Sequence, residues 1–350
     1  MSWRVVENAP SPLEGEGWGG GRNMKKVRAM IAKLALALAL LSSAAHAQSG
    51  TLTLYTSQPD RIAAETVAAF TRQHPAVKVE VFRSGTTEVM NKLAAEFLAG
   101  DPRPDVLFIA DAVTMEGLKA EGRLLPYPDA DVATFPAAAY DKDKTYFGSK
   151  LITTGIAYNT AAPKPSSWLD LLAPAAKGQV VLPSPLYSGA AVIHMAAVTG
   201  DAALGADYYR KLSENGAIAV QGNGAVVTQV AGGQRMYGVL VEFMALNAKA
   251  KGSPVDFVFP KEGVSAVTEP VAILKTAKNP EAAKAFVTFI LSKPGQELAA
   301  AQGFLPARTD VPPPPGFPKP GDLAILPVDL SRATRESPAL KERFSQLFGG

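Results

Sequence analysis

Six short segments place small polar side chains where a folded chain offers them to a solute: Thr56-Ser57, Ser84-Gly85-Thr86-Thr87, Asp111, Tyr187-Ser188-Gly189, Asn223-Gly224 and Glu242. Hydroxyl groups donate hydrogen bonds, glycine admits a ligand close to the backbone, and the unpaired N–H groups of a helix start attract anions. This is chemistry for gripping a small anion without altering it. Any one segment reads more readily as a plain helix cap, because Ser, Thr, Asp and Asn are the usual caps. Their recurrence in two separate blocks of sequence is what points to a ligand. Arg83 adjoins the second segment and reads either as a solvated strand end or as a further anion partner. Asp111 and Glu242 ill suit a purely anionic solute but suit one that also carries a cation, held by a charge-assisted hydrogen bond. The competing reading of Glu242 is a surface pair with a lysine.

Enzymatic chemistry finds little to work with. The chain has three histidines and no cysteine. His46 lies in an N-terminal leader, His74 precedes Pro75, and His194 sits in an apolar run, so none joins an acid–base or metal-ligand constellation. No Gly-x-Ser-x-Gly elbow, P-loop or paired-carboxylate motif stands out. The lack of cysteine excludes disulfides, thiolate catalysis and Cys-ligated metals. No catalytic residue, metal or cofactor is expected, and an exported hydrolase of phosphate esters or phosphonates is kept as the reading from another class.

The elements that must position these segments alternate strand and helix. Thr51–Tyr55 and Val77–Phe82 show strand alternation, and Asp105–Ala110 is a nearly continuous apolar run suited to a strand covered on both faces. Helical spacing follows at 61–73, 89–98 and 114–120. A second block begins after the Pro-rich stretch 161–167, with strands at 178–182, 217–220 and 238–241 and helices at 190–198, 207–215 and 226–231. The segment 266–274 crosses back, 280–291 is an amphipathic helix, and the Pro-rich chain beyond 305 reads as an extended wrapping segment. All six polar segments then fall at strand C-termini, the edge where open α/β sheets bind ligands.

The compartment is read from the N-terminus. Lys25, Lys26 and Arg28 form a basic region, Leu34–Leu41 a short apolar core, and Ala45-His46-Ala47 a small-x-small cleavage site, so residues 24–47 form a secretory leader and the mature chain begins near Gln48. Residues 1–23 resemble no leader, which puts the true start at Met24. Residues 1–47 hold six of the 35 basic and three of the 32 acidic residues. The exported part is therefore about neutral, and the net charge of +3 is no sign of a nucleic-acid partner. No later apolar run is long enough to cross a bilayer. The remaining length favours two lobes over one. They are assigned to residues 48–152 plus 264–350 and to residues 153–263.

Tyr55-Thr-Ser-Gln-Pro59, Arg83-Ser-Gly-Thr-Thr-Glu-Val-Met90, Asp105-Val-Leu-Phe-Ile-Ala-Asp111, Pro185-Leu-Tyr-Ser-Gly-Ala190, Lys251-Gly-Ser-Pro-Val255 and Leu291-Ser-Lys-Pro-Gly-Gln296 resemble the periplasmic solute-binding proteins of ABC importers. The likeness is to the branch that binds ferric ions, phosphonates and sugar phosphates, and it covers roughly residues 50 to 310. It implies two α/β lobes, each a mixed and mostly parallel sheet flanked by helices, hinged so as to close on a solute and then dock on a membrane permease. Ferric members resemble this chain in the first turn but carry His where Pro59 stands, Glu where Asp111 stands, and a Tyr-Tyr pair where Glu242-Phe243 stands, so the usual iron site is incomplete here. Iron binding stays as the alternative. The resemblance, with the residues above, points to a small phosphorus-containing or zwitterionic anion, 2-aminoethylphosphonate being the best match. The protein is expected to be a periplasmic monomer working with ABC permease subunits.

Overall fold

The computed structural model describes residues 49–315, 317 and 323–349. The leader at 24–47 and the stretch before it lie outside the described residues. The described chain forms two sheets flanked by helices, so the α/β, two-sheet expectation holds.

The first sheet runs β2-β1-β3-β11-β4. Its strands are β1 (Gly50–Thr56), β2 (Val77–Arg83), β3 (Val106–Phe108), β4 (Tyr146–Gly148) and β11 (Pro270–Ile273). β1 pairs in parallel with β2 and β3, and β11 runs antiparallel to β3 and β4. The period-two pattern of β1 explains both of its faces. Leu52 and Leu54 pack with Phe70, Phe108 and Phe286 on one side, while Tyr55 packs with Leu93, Leu107 and Met115 on the other. The helices α1 (Asp60–Gln73), α2 (Thr86–Leu98), α3 (Ala112–Ala120) and later α8 (Pro280–Leu291) and α9 (Lys293–Ala301) supply those partners.

In the second sheet, β5 (Lys150–Asn159) is the hub. It pairs antiparallel with β8 (Tyr237–Val241), β9 (Val255–Val258), β10 (Ser265–Val267) and the two-residue β12 (Leu305–Pro306). β6 (Val180–Pro183) pairs in parallel with β7 (Ile218–Val220) and β8. The strand β5 was not singled out from sequence, although all but one of its ten residues are buried. Its helices are α4 (Gly189–Gly200), α5 (Tyr208–Glu214), α6 (Asn223–Ala231) and α7 (Glu242–Ala250).

The chain passes between the sheets at Ser149 and at Thr268-Glu269, a few residues from the divisions read at 152/153 and 263/264. The two passages are stitched together. Ser149 donates from its N–H to the Glu269 carbonyl at 3.3 Å and from its hydroxyl at 3.0 Å, and the Lys150 N–H donates to the Thr268 carbonyl at 3.3 Å.

One expectation needs correction. The chain beyond 323 is not merely an extended wrap on the first lobe, because it ends in a 19-residue helix, α10 (Leu330–Phe348). Its Phe344 is fully buried among Trp168, Tyr208 and Tyr209 of the second lobe. The helical spacing of Ala333, Leu340, Phe344 and Leu347 was masked by Pro338, which the helix accommodates internally. The large apolar side chains exposed on the surface include Leu98 at the end of α2 (91% exposed) and Leu169 on the second lobe (46%).

Candidate functional site

The C-terminal edges of β1, β2, β6, β7 and β8 meet at one cavity of about 220 Å³. Its wall is built chiefly from helix starts. Gly85-Thr86 opens α2, Ser188–Ala190 opens α4, Gly222–Gly224 opens α6, and Phe243-Met244 belongs to the first turn of α7. First-turn N–H groups have no carbonyl to bond within their own helix, and each aligned helix adds roughly half a positive charge at that end. Several such ends around one small space make it electropositive without many cations. Among the described residues Arg83 is the lining cation and Glu269 the lining acid.

The two lobes touch beside this cavity. The Thr87 N–H donates to the Tyr187 carbonyl at 3.3 Å across the cleft. Gly189 sits so close to the first lobe that a Cβ there would meet the Ala110 carbonyl oxygen at 2.6 Å. Gly85 faces the Tyr187 ring with the same closeness, 2.6 Å from a Cβ. Arg83 adds a further bridge, donating from Nη1 to the Tyr187 hydroxyl at 3.3 Å and from Nε to the Gln58 carbonyl at 2.7 Å.

Of the residues expected at the site, Ser57, Gly85, Thr86, Tyr187, Ser188, Gly189 and Asn223 line the cavity. Several also build it. The Ser57 hydroxyl oxygen accepts from the Ala110 N–H at 3.0 Å, Ser188 caps α4, and Asn223 donates to the Ser188 hydroxyl at 3.1 Å while accepting from the Val241 N–H at 3.3 Å.

Five expected residues do not line it. Thr56 is buried and spends its hydroxyl on the Phe108 carbonyl at 2.7 Å. Ser84 pairs with Glu88, one turn along α2. Thr87 is spent on the inter-lobe contact, its N–H donating to the Tyr187 carbonyl and its hydroxyl to the Pro185 carbonyl at 3.4 Å. Asp111 caps α3, accepting from the N–H groups of Val113 at 2.9 Å and Thr114 at 3.2 Å, and burial raises its pKa. Glu242 is 0% exposed and turned away from the cavity wall, its Oε2 accepting from the Thr153 N–H at 2.7 Å. Desolvation pushes its carboxyl up to about 8. Position at a strand end says which edge a residue occupies, not where its side chain points, and both carboxylates chosen for a solute cation point elsewhere.

The acid that does line the cavity, Glu269, went unnoticed because it lies in the bend between β10 and β11 and not at the C-terminus of a parallel strand. Its Oε2 accepts from Lys150 Nζ at 2.7 Å and from Gln58 Nε2 at 3.2 Å. Lys150 and Glu269 side chains are each 3% exposed. Burial lowers the Lys150 pKa and Glu269 works against that shift. The available signal was a glutamate directly before proline, Thr268-Glu269-Pro270, between two short apolar runs.

Residues 55–297 match the family model for bacterial extracellular solute-binding proteins. A Haemophilus influenzae protein of undescribed role is 28% identical over 342 residues, spanning 92% of this chain and 97% of the relative. In fold, the chain is similar to the periplasmic binding protein AfuA from Actinobacillus pleuropneumoniae with exogenous fructose-6-phosphate bound (TM-score 0.78, 23% identity, 86% of this chain and 99% of that one). It is also similar to the ferric binding protein from Campylobacter jejuni (TM-score 0.73, 20% identity, 85% and 99%).

Proposed function

This chain belongs to the bacterial extracellular solute-binding proteins, the capture components of ABC importers, and from that premise we propose that its cleft takes a small organic phosphonate or phosphate. The named candidate is 2-aminoethylphosphonate. One observation carries the reading: the starts of α2, α4 and α6, from both lobes, end on the same cavity beside Arg83. A tetrahedral oxyanion presents several acceptor oxygens at once, which matches N–H and hydroxyl donors converging from several directions. The volume of about 220 Å³ lies below the roughly 300–1,000 Å³ of drug-sized pockets, in keeping with a solute of few heavy atoms.

The iron reading has less to stand on. Pro59 and Phe243, at the places where ferric members carry His and Tyr, both line the cavity, and neither side chain can ligate a hard cation. An exported hydrolase would need a base beside a nucleophile, and the lining hydroxyls of Ser57, Thr86 and Ser188 have no histidine among the lining residues.

Capture would proceed by closure. The first lobe offers Ser57, Arg83 and the Gly85-Thr86 turn, the second completes the grip with Ser188–Ala190 and Asn223, and the closed state is favoured by the contacts a solute makes only there. The loaded monomer then meets its permease in the periplasm.

Thermal unfolding of the purified chain from residue 48 tests this against 2-aminoethylphosphonate, fructose 6-phosphate, ferric citrate and putrescine. A phosphorus anion at a hundred times its Kd should add about 2.7 kcal/mol and raise Tm by several degrees. A rise with ferric citrate or putrescine alone, or release of orthophosphate from the esters, would overturn the reading.

A further inference from the structure

Four residues are hydrogen-bonded in series, from Arg83 to the Gln58 backbone and from the Gln58 side chain to Glu269 and on to Lys150. Arg83 Nε donates to the Gln58 carbonyl at 2.7 Å, Gln58 Nε2 donates to Glu269 Oε2 at 3.2 Å, and Lys150 Nζ donates to the same oxygen at 2.7 Å. Arg83 and Glu269 both line the cavity. The space is thus bounded by a cation at one place and a carboxylate at another, held apart by the intervening glutamine.

Two details set Glu269 apart from an ordinary structural acid. Its protein donors both fall on Oε2, and among the described residues none falls on Oε1, while Glu269 itself lines the cavity. Its backbone sits at φ +35°, a left-handed conformation that glycine or asparagine would adopt with less strain, so a large charged side chain is kept there against the preference of the backbone. Lys150 is locked behind it. The ammonium lies 3.8 Å from the centre of the Phe304 ring and 5.2 Å from that of Phe108, with Glu269 as its carboxylate partner. This arrangement fixes the orientation of Glu269 and leaves one of its oxygens unspent.

We infer that Glu269 is the ammonium-recognising residue of the cleft, with Lys150 as its positioning residue, so that the solute class is a phosphorus zwitterion and not a simple oxyanion. The inference rests on the phosphorus-anion reading above. The anionic end meets the helix starts and Arg83, and an amine a few bonds away donates to Glu269 Oε1 in a charge-assisted bond. Glu242 and Asp111, which point away from the wall, take no part.

Calorimetric titration with 2-aminoethylphosphonate and with ethylphosphonate, which lacks the amine, provides the test. Wild type should favour the amine by roughly tenfold or more, the scale of one hydrogen bond between charged groups. Lys150→Met combined with Glu269→Gln removes the buried pair together, so no lone charge is stranded, and should bind both compounds about equally. Glu269→Asp retains the pair but draws the oxygens back by one methylene, and should lose part of the preference. Equal affinities in wild type, or an undiminished preference in either variant, would overturn the assignment while leaving the phosphorus-anion reading in place. Binding of neither compound by wild type would overturn this inference and remove 2-aminoethylphosphonate as the candidate, and the phosphorus-anion reading falls with it only if fructose 6-phosphate also fails to bind.

Discussion

Two buried glutamates beside the cleft, Glu242 and Glu269, have opposite surroundings. Glu242 opens α7 and accepts a backbone N–H on one oxygen, while its Oε1 is buried with no hydrogen-bond partner among the described residues. Glu269 sits in an irregular bend yet is paired with Lys150 and Gln58. Desolvation without a cation drives Glu242 up to about 8, so at neutral pH it is mostly protonated. Glu269 belongs to an ion pair whose members depend on each other. Each acid keeps one oxygen without a protein partner among the described residues, but only Glu269 lines the cavity, so burial and a spare oxygen do not by themselves mark a ligand-facing acid.

The largest expected effect removes the cation from one side of this comparison. Lys150→Met leaves Glu269 buried without its partner and should lower stability by about 3–5 kcal/mol in urea unfolding, the usual penalty for stranding one member of a buried pair. Glu242→Gln, replacing a group already mostly neutral, should cost under about 1 kcal/mol at pH 7. Similar losses for the two variants would erase the distinction.

A smaller effect comes from pH. The folded value of Glu242 lies above its unfolded value near 4.5, so its contribution is fully present below that value and is lost as pH rises toward 8. Between pH 5 and pH 7.5 this amounts to roughly 3 kcal/mol of declining stability, which Glu242→Gln should abolish. His194, driven down to about 3 by burial, acts with the opposite sign, its contribution fading as pH falls below 6.5. The difference between wild type and variant isolates the glutamate. Parallel stability–pH curves for the two proteins would show that Glu242 is ionised in the fold after all.

The smallest effect sharpens the role of the cleft itself. Gly189→Ala places a methyl group 2.6 Å from the Ala110 carbonyl and should weaken solute binding by roughly tenfold, chiefly by opposing closure. Gly117→Ala, on α3 away from the cavity lining and with nothing within 4 Å of a Cβ, is the control and should bind as wild type does. Equal affinities would mean that the lobes need not approach this closely.

Much of this was readable in advance, for reasons that particular residues make clear. β1, β2 and α8 have strong periodic patterns, the turn at 56–57 follows a strand, and the small polar turns at 84–87, 187–189 and 223–224 mark helix starts that backbone rules place at one edge. What failed was direction and context. Ser84, Asp111 and Glu242 occupy the right edge, but their side chains turn to Glu88, to the start of α3 and to Thr153. Glu269 was invisible because no periodicity marks a bend, and α10 because a proline inside a helix looks like the end of one. The importance of Lys150 exists only once two distant stretches, 149–150 and 268–269, lie side by side.

The exposed leucines at 98 and 169 carry a practical consequence. They stand on different lobes of a chain without a single native thiol, so cysteines introduced at both would be the sole attachment points for a pair of fluorophores. Energy transfer between the dyes would then report cleft motion directly, turning the molecule into an optical gauge of whatever cargo it carries.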